Sequence, residues 1–307
     1  MITHKKGRKR VKIAIASGKG GTGKTTLSVN LTAWIRDIAD RSVMLVDLDV
    51  EEPNTGMFLE GKVIERTVRY RKIPRWKQET CILSGECAGV CMYNAIAFLG
   101  NSVMVFPELC HGCYACSDLC PSHSLPMVDD RIGEVTLYQA SFAGSRKVFP
   151  WIEGRLDVGR EMATPMIAQT IRYAENRGEK SQIILFDAPP GTSCSMMEAA
   201  KRSDYLLLVA EPTRFGLHDL GLAVKTLKKL GKPFAVVVNK DDPAITLIND
   251  FCAKEKIRII ARIPHLRKAA GIYAGGGLLY GKIPEIGQEL EKVYRHILEI
   301  SEEMKTE

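Results

Sequence analysis

Cysteines dominate one stretch of this 307-residue chain: Cys81, Cys87, Cys91, Cys110, Cys113, Cys116 and Cys120 all fall within residues 81–120. The last four, with Pro121 behind them, are spaced C-x2-C-x2-C-x3-C-P, a spacing that holds iron–sulfur clusters. A short turn at that spacing brings three sulfurs toward one point, and thiolates are the soft ligands that iron–sulfur clusters select. A second chemistry lies near the start of the chain, in Gly18-Lys19-Gly20-Gly21-Thr22-Gly23-Lys24-Thr25, followed by Thr26. The pattern G-x4-G-K-T, after an apolar run and before a helical one, is a phosphate-binding loop. Its glycines let backbone N–H groups close around phosphate oxygens, aided by the helix N-terminus. Lys24 is expected to reach the β- and γ-phosphates, and the Thr25 hydroxyl to ligate Mg²⁺.

Two acidic segments end apolar runs, where open α/β sheets bind ligands. LVDLDVEEPN carries Asp47, Asp49 and Asn54; LFDAPPGT carries Asp187 and Gly191. A carboxylate of the first is placed to orient an attacking water, and Asp187 to hold Mg²⁺ through its water shell. Asp also caps helices that follow strands, so each segment gains its meaning from the loop beside it. Asn239-Lys240-Asp241-Asp242 matches N-K-x-D, a pattern that reads guanine, which leaves the choice of base open on these four residues alone.

The elements that must position these groups alternate short apolar strands with amphipathic helices, the mark of a mostly parallel sheet with helices on both faces. Strands are expected at 11–16, 42–47, 181–187, 204–210, 233–239 and 257–263. Helices are expected at 24–38, 159–176, 217–230, 244–255 and 285–304. In the last helix Ile286, Leu290, Val293, Ile297, Ile300 and Met304 recur at spacings of four and three, one apolar stripe that core packing accounts for. The rhythm stops between about residues 78 and 130. We therefore expect an α/β ATPase domain of residues 1–77 and 131–307, with a small iron–sulfur domain of 78–130 inserted into it.

A chain of this length can bury a proper core. The net charge of +7 sits largely in KKGRKRVK near the N-terminus and in RTVRYRKIPRWK at residues 66–77, and both read first as a solvated tail and a solvated linker. Nucleic acid is not the expected partner; an acidic redox partner at 66–77 is the alternative use of that charge. No secretory leader and no run long enough to span a bilayer are visible. Clustered cysteines at metal-ligand spacing point to a reducing compartment, so a cytoplasmic protein is expected. Cys252, apolar-flanked on a helix, and Cys194 read as buried packing.

KGGTGKTT has an additional lysine, Lys19, beside the usual loop lysine. In this, and in DAPPGTSC, EPTRFGLHDL and EGRLDVG, nearly the whole chain resembles the MinD/ParA/Mrp group of deviant Walker A ATPases, which includes the nitrogenase iron protein, and in particular MinD-like members with an inserted ferredoxin domain. The resemblance implies an ATP-dependent homodimer in which Lys19 reaches phosphates bound by the opposite subunit. It also implies Asp49 as the water-orienting residue, Asp187 to Gly191 as a switch, and Asn239 as a contact to adenine, which favours ATP over GTP. In the iron protein a cysteine near the place of Cys194 bridges two subunits through a cluster. In two-cluster ferredoxins the fourth cysteine of each run serves the other cluster. Carried over here, that gives one complete 4Fe–4S site on Cys91, Cys110, Cys113 and Cys116. The other would use Cys81, Cys87 and Cys120, with Ser84 in the place of its second cysteine and Met92 in place of the proline expected after Cys91. That second site could hold a 3Fe–4S cluster, hold a 4Fe–4S cluster with a serine or exogenous ligand, or serve packing alone.

Two classes of function follow. In one, ATP hydrolysis is coupled to electron transfer or to delivery of clusters to an apo-protein partner. In the other, the chain is a MinD-like regulatory or positioning switch whose cluster is structural or senses redox state. The sequence shows no Lys/Arg-rich amphipathic helix of the kind that lies on a membrane surface, which weighs against positioning.

Overall fold

VMLVD and IILFD are apolar up to a terminal Asp and VKIAIA is apolar except for Lys12, and such runs satisfy themselves only inside a sheet covered on both faces. In the computed structural model, which describes residues 10–178 and 181–306, they are β1 (Val11–Ala16), β2 (Val43–Asp47) and β8 (Ile183–Asp187). Between β1 and β2 runs α1 (Lys24–Asp37). Then come β3 (Leu59–Pro74), α2 (Glu86–Gly89), β4 (Ile96–Phe98), β5 (Val103–Val105), α3 (Ala115–Asp118), β6 (Met127–Phe142), β7 (Phe149–Leu156) and α4 (Ala163–Arg177). After β8 the order is α5 (Cys194–Arg202), β9 (Tyr205–Ala210), α6 (Arg214–Lys229), β10 (Phe234–Asp241), α7 (Leu247–Glu255), β11 (Ile259–Pro264), α8 (Arg267–Ala274) and α9 (Pro284–Thr306).

Nine strands form one sheet in the order β11-β10-β9-β1-β8-β2-β7-β6-β3. β1 lies parallel between β8 and β9, and β2 parallel between β8 and β7. This register sets Asp47 beside Asp187, each the last residue of its strand, and beside Glu153, which lies within β7, so three carboxylates stand abreast on three adjacent strands. α9 buries the expected stripe: Ile286, Leu290, Val293, Ile297 and Ile300 are buried and Met304 packs against the same core, which includes Trp34 and Ile35 of α1.

Residue contacts divide the chain into two compact units, one of Met1–Arg66, Val135–Arg155 and Ile167–Glu307, the other of Thr67–Glu134 and Leu156–Met166. The stretch 78–130 lies wholly in the smaller unit, which also takes in residues on either side of it. The reason is electrostatic. Arg71, with only 8% of its side chain exposed, donates through Nε to Asp130 at 2.9 Å, and Arg160 adds two further bonds to the same carboxylate at 3.1 and 2.8 Å. Arg71 also donates to the carbonyls of Pro107 and Cys110.

Those contacts correct the reading of 66–77 as a solvated linker: residues 66–74 are strand, Arg71 is buried, and Lys72 pairs with Asp129 at 3.0 Å. Of the other basic run, residues 5–9 lie outside the described residues, while Arg10 and Lys12 are engaged by Glu175. Among the described residues no helix is long and apolar enough to cross a membrane.

Candidate functional site

β1 ends at Ala16 and α1 begins at Lys24, so the loop of residues 17–23 is stretched between a buried strand and a helix N-terminus. Gly23 caps α1 with φ +92°, and a Cβ there would lie 2.1 Å from the Asn239 amide nitrogen. Gly18 is required for a different reason: a Cβ would meet the backbone oxygen of Asp219 on α6 at 2.3 Å. Lys24 and Thr25 are buried, and both face a cavity of about 510 Å³. Gly20, Gly21, Gly23, Thr26, Asp49, Asn54 and Asn239 line it as well, with His265, Leu266, Ala269 and Tyr273 opposite. A volume of that size suits a nucleotide, polar at the phosphate end and apolar at the base end.

The carboxylates at the strand ends are held in distinct ways. Asp187 accepts from Thr25 Oγ1 at 2.7 Å and from Ser28 Oγ at 2.8 Å. Burial pushes its carboxyl up, and the nearby Lys24 charge and the two hydroxyls only partly oppose this. Asp47 accepts the backbone N–H groups of Asp49, Asn54 and Thr55 and the Thr55 hydroxyl, so it organises the loop that carries Asp49. Its carboxyl is pushed up to about 7 by burial and by Asp187 beside it. Asp49, at the cavity wall, is pushed up to about 6 by burial, against the pull of Lys24. Gly191 donates its N–H to Ser17 O at 3.0 Å, tying the segment after β8 to the loop. The Oδ1 of Asn54, a residue of the cavity wall, is buried without a hydrogen-bond partner among the described residues.

Lys19 does not line the cavity; its Nζ lies 3.6 Å from Glu211 Oε2. Lys240 reaches the other oxygen of Glu211 at 2.5 Å and donates to Gly21 O at 3.3 Å. Asn239 Nδ2 donates to Thr22 O at 2.7 Å. Asp242, the fourth residue of N-K-x-D, is exposed, accepts from Ala244 N, and is absent from the cavity wall. A guanine-reading carboxylate would have to stand in that wall.

In the smaller unit, Cys91, Cys110, Cys113 and Cys116 line one narrow cavity with Tyr93, His111 and Tyr114. Burial pushes the Cys116 thiol up to about 11, and Cys110, Cys113 and Cys91 push in the same direction, so the four act on one another. Cys110 is pushed up by burial too. Burial raises the Cys87 thiol, and Cys120 and Cys81 push in the same direction. For Cys120 burial is outweighed by the Ser124 N–H and the Ser122 hydroxyl, and the net shift is downward. Among the described residues no three His, Cys, Asp or Glu side chains converge tightly enough for a single metal ion. The donor set suits a cluster instead, whose thiolates sit on separate irons and so stand farther apart.

Residues 81–96 and 110–125 repeat the same local features. Leu83 N–H donates to Cys81 Sγ and Gly112 N–H to Cys110 Sγ, each at 3.4 Å. Ala95 N–H donates to Cys91 Sγ at 3.3 Å and Ser124 N–H to Cys120 Sγ at 3.2 Å. Positive φ values recur in step: Leu83 with Gly112, Gly85 with Tyr114, Asn94 with His123. The aligned copies put Ser84 opposite Cys113, and both are exposed.

Cys252 is buried on α7, as expected. Cys194 is not: it is exposed at the first residue of α5, because its side chain leaves the helix start before the buried face begins at Met196. Sequence reasoning did not single out Ser28 or Glu211. Ser28 was open to detection, three residues after Thr25 and so on the same helix face. Glu211 follows the apolar run of β9 as its first charged residue, at the strand end where ligands bind.

The family description "CobQ/CobB/MinD/ParA nucleotide binding domain" matches residues 13–276. An uncharacterised protein of Methanocaldococcus jannaschii is 30% identical over 75% of this chain and 78% of its own length. An iron–sulfur cluster carrier protein of Pyrococcus horikoshii is 24% identical over 77% of this chain and 63% of its own. Among solved structures, the MinC:MinD cell division complex of Aquifex aeolicus aligns with a TM-score of 0.57 at 20% identity, covering 94% of this chain and 96% of the other. MinD of Pyrococcus horikoshii in complex with Mg-ADP gives 0.55 at 17%, covering 96% of each. At these identities the structural likeness establishes the fold alone.

Proposed function

Since the chain belongs to the CobQ/CobB/MinD/ParA nucleotide-binding family, we propose that it is an ATPase that carries iron–sulfur chemistry, coupling its nucleotide state to electron transfer or to delivery of a cluster. One observation carries this reading: a phosphate cavity and a four-cysteine cavity are built in the same chain.

In the larger unit, Lys24 and the loop N–H groups hold the β- and γ-phosphates, and the cavity wall from His265 to Tyr273 receives the base. Asn239 borders that wall while Asp242 does not, which supports adenine over guanine. Thr25 and Asp187, already bonded to each other, would hold Mg²⁺, whose charge offsets that of the phosphates. Asp49 orients the attacking water. Lys19 is drawn from Glu211 to phosphates across a homodimer, as in the group the sequence resembles. The nucleotide-binding family and its fold support the phosphate and Mg²⁺ end of this assignment.

In the smaller unit, Cys91, Cys110, Cys113 and Cys116 would hold a 4Fe–4S cluster, and their mutual repulsion as thiolates is what a cationic cluster relieves. A cluster there supplies one-electron chemistry. The similarity to iron–sulfur cluster carriers supports delivery as one use of it. The chain runs from Thr55, held by Asp47, through β3 into the smaller unit, a covalent route by which loop movement can be felt there.

Protein purified without oxygen tests the reading. We expect at least about four irons per chain, with matching sulfide. Lys24→Ala should lose ATP hydrolysis while keeping its iron. Absence of iron and sulfide, or hydrolysis undiminished by Lys24→Ala, contradicts it.

A further inference from the structure

We propose that Cys81, Cys87 and Cys120 form a second cluster site with three thiolates and one open corner at Ser84, where a ferrous ion enters and leaves from the solvent side. This rests on the iron–sulfur reading above and extends it to residues that reading does not use.

The repeat within the smaller unit carries the argument. Cys87 is buried at 9% exposure like its counterpart Cys116 at 8%, and Cys120 is buried at 8% where its counterpart Cys91 is partly exposed. The backbone N–H bonds to Cys81 and Cys120 copy those to Cys110 and Cys91. Cys81 packs against the small core cluster that contains Cys87, and Ser124, whose N–H bonds Cys120 Sγ, also bonds Thr80, the residue before Cys81. Hydroxyls fix the inner side of that site: Ser124 bonds Thr80 at 2.9 Å and Ser122 at 2.8 Å, next to Cys120. Three of four corners are therefore built to the same plan as the complete site.

The fourth differs in chemistry and not in placement. Cys113 is exposed in its copy and Ser84 is exposed in the other. A serine hydroxyl stays protonated where a thiol ionises, so it offers iron a far weaker ligand than thiolate. The iron left without a thiolate is thus the one that faces water. The balance of uptake is simple. A reduced, uncharged 3Fe–4S core takes one Fe²⁺ to give the dipositive 4Fe–4S core, with no net electron moved and sulfides and thiolates unchanged; water completes the new iron's shell. The oxidative exit releases the same Fe²⁺ and gives one electron to a one-electron oxidant such as ferricyanide, leaving a 3Fe–4S core of charge +1.

Full-length protein and its Ser84→Cys variant, reconstituted without oxygen, test this by iron content and electron paramagnetic resonance. After ferricyanide, the wild type should hold about seven irons and show the narrow signal of an oxidised 3Fe–4S core. Reduction and Fe²⁺ should abolish that signal and raise the count to about eight, while Ser84→Cys should hold about eight throughout and show no such signal. A wild type that keeps about eight irons after oxidation, or never exceeds about four, overturns the proposal and leaves the first site standing. No iron in either protein overturns the iron–sulfur reading itself. If Ser84→Cys does not fold, Cys120→Ser serves: it should lose the narrow signal and keep about four irons, and survival of the signal would refute the site.

Discussion

Asp47 and Asp187 stand side by side on adjacent strands, and only one of two such buried carboxyls readily gives up its proton. The pair titrates as a unit. Asp47, raised to about 7, lies well above its unfolded value of about 3.9, so the folded chain keeps a proton that the unfolded chain releases. The associated stability is fully present below the unfolded value and is lost as pH rises through the folded one. Asp47→Asn removes the titrating group and relieves its neighbour. The unfolding free energy of the wild type relative to Asp47→Asn should therefore fall between about pH 4 and about pH 7 and then level off. Urea unfolding across that range measures it, and parallel pH profiles for the two proteins would contradict the pairing. Cys194 shows the limit of residue-level reading: an apolar-leaning side chain was expected inside, but the first residue of a helix faces where the chain enters, which no local pattern states.

At the level of elements, legibility followed burial on both faces. β1, β2, β8, β9 and β10 are buried runs of Val, Ile and Leu, and their limits in the sequence agree with the structure to within about two residues. β3 was hidden because it lies at the sheet edge and carries Glu65, Arg66, Arg69 and Arg71, charges that edge strands use against unwanted pairing. Read without its partners Asp129 and Asp130, such a segment resembles a linker. The turns beside the cysteines were hidden for another reason, since Leu83, Asn94, Tyr114 and His123 adopt positive φ without being glycine. α9 was read correctly because one stripe carries its packing. Leu290→Ala, at a fully buried position, should cost about 2–5 kcal/mol of stability by denaturant unfolding. Glu291→Ala removes only an exposed pair with Arg295 and should change stability by less than about 0.5 kcal/mol. Equal losses at the two positions would mean that the helix does not pack by this face.

For the whole molecule, the phosphate loop, Asp49, Asp187 and the cysteine run were all marked in the sequence, because each must present a fixed residue type at a fixed spacing. What the sequence left out is how the sites are tuned: Ser28 under Asp187, Glu211 between Lys19 and Lys240, and Arg71 against the carbonyl of Cys110. These are contacts across long sequence separations, set by the fold. Coupling between the sites must be reciprocal: if nucleotide changes the energy of reducing a cluster, reduction changes nucleotide affinity by the same factor. An anaerobic redox titration followed by electron paramagnetic resonance, with and without MgATP, tests the proposed coupling most directly. A tenfold coupling appears as a shift of about 59 mV for a one-electron couple, and a shift of that order is the expected result. Clusters that titrate at the same potential with and without MgATP would contradict the claim.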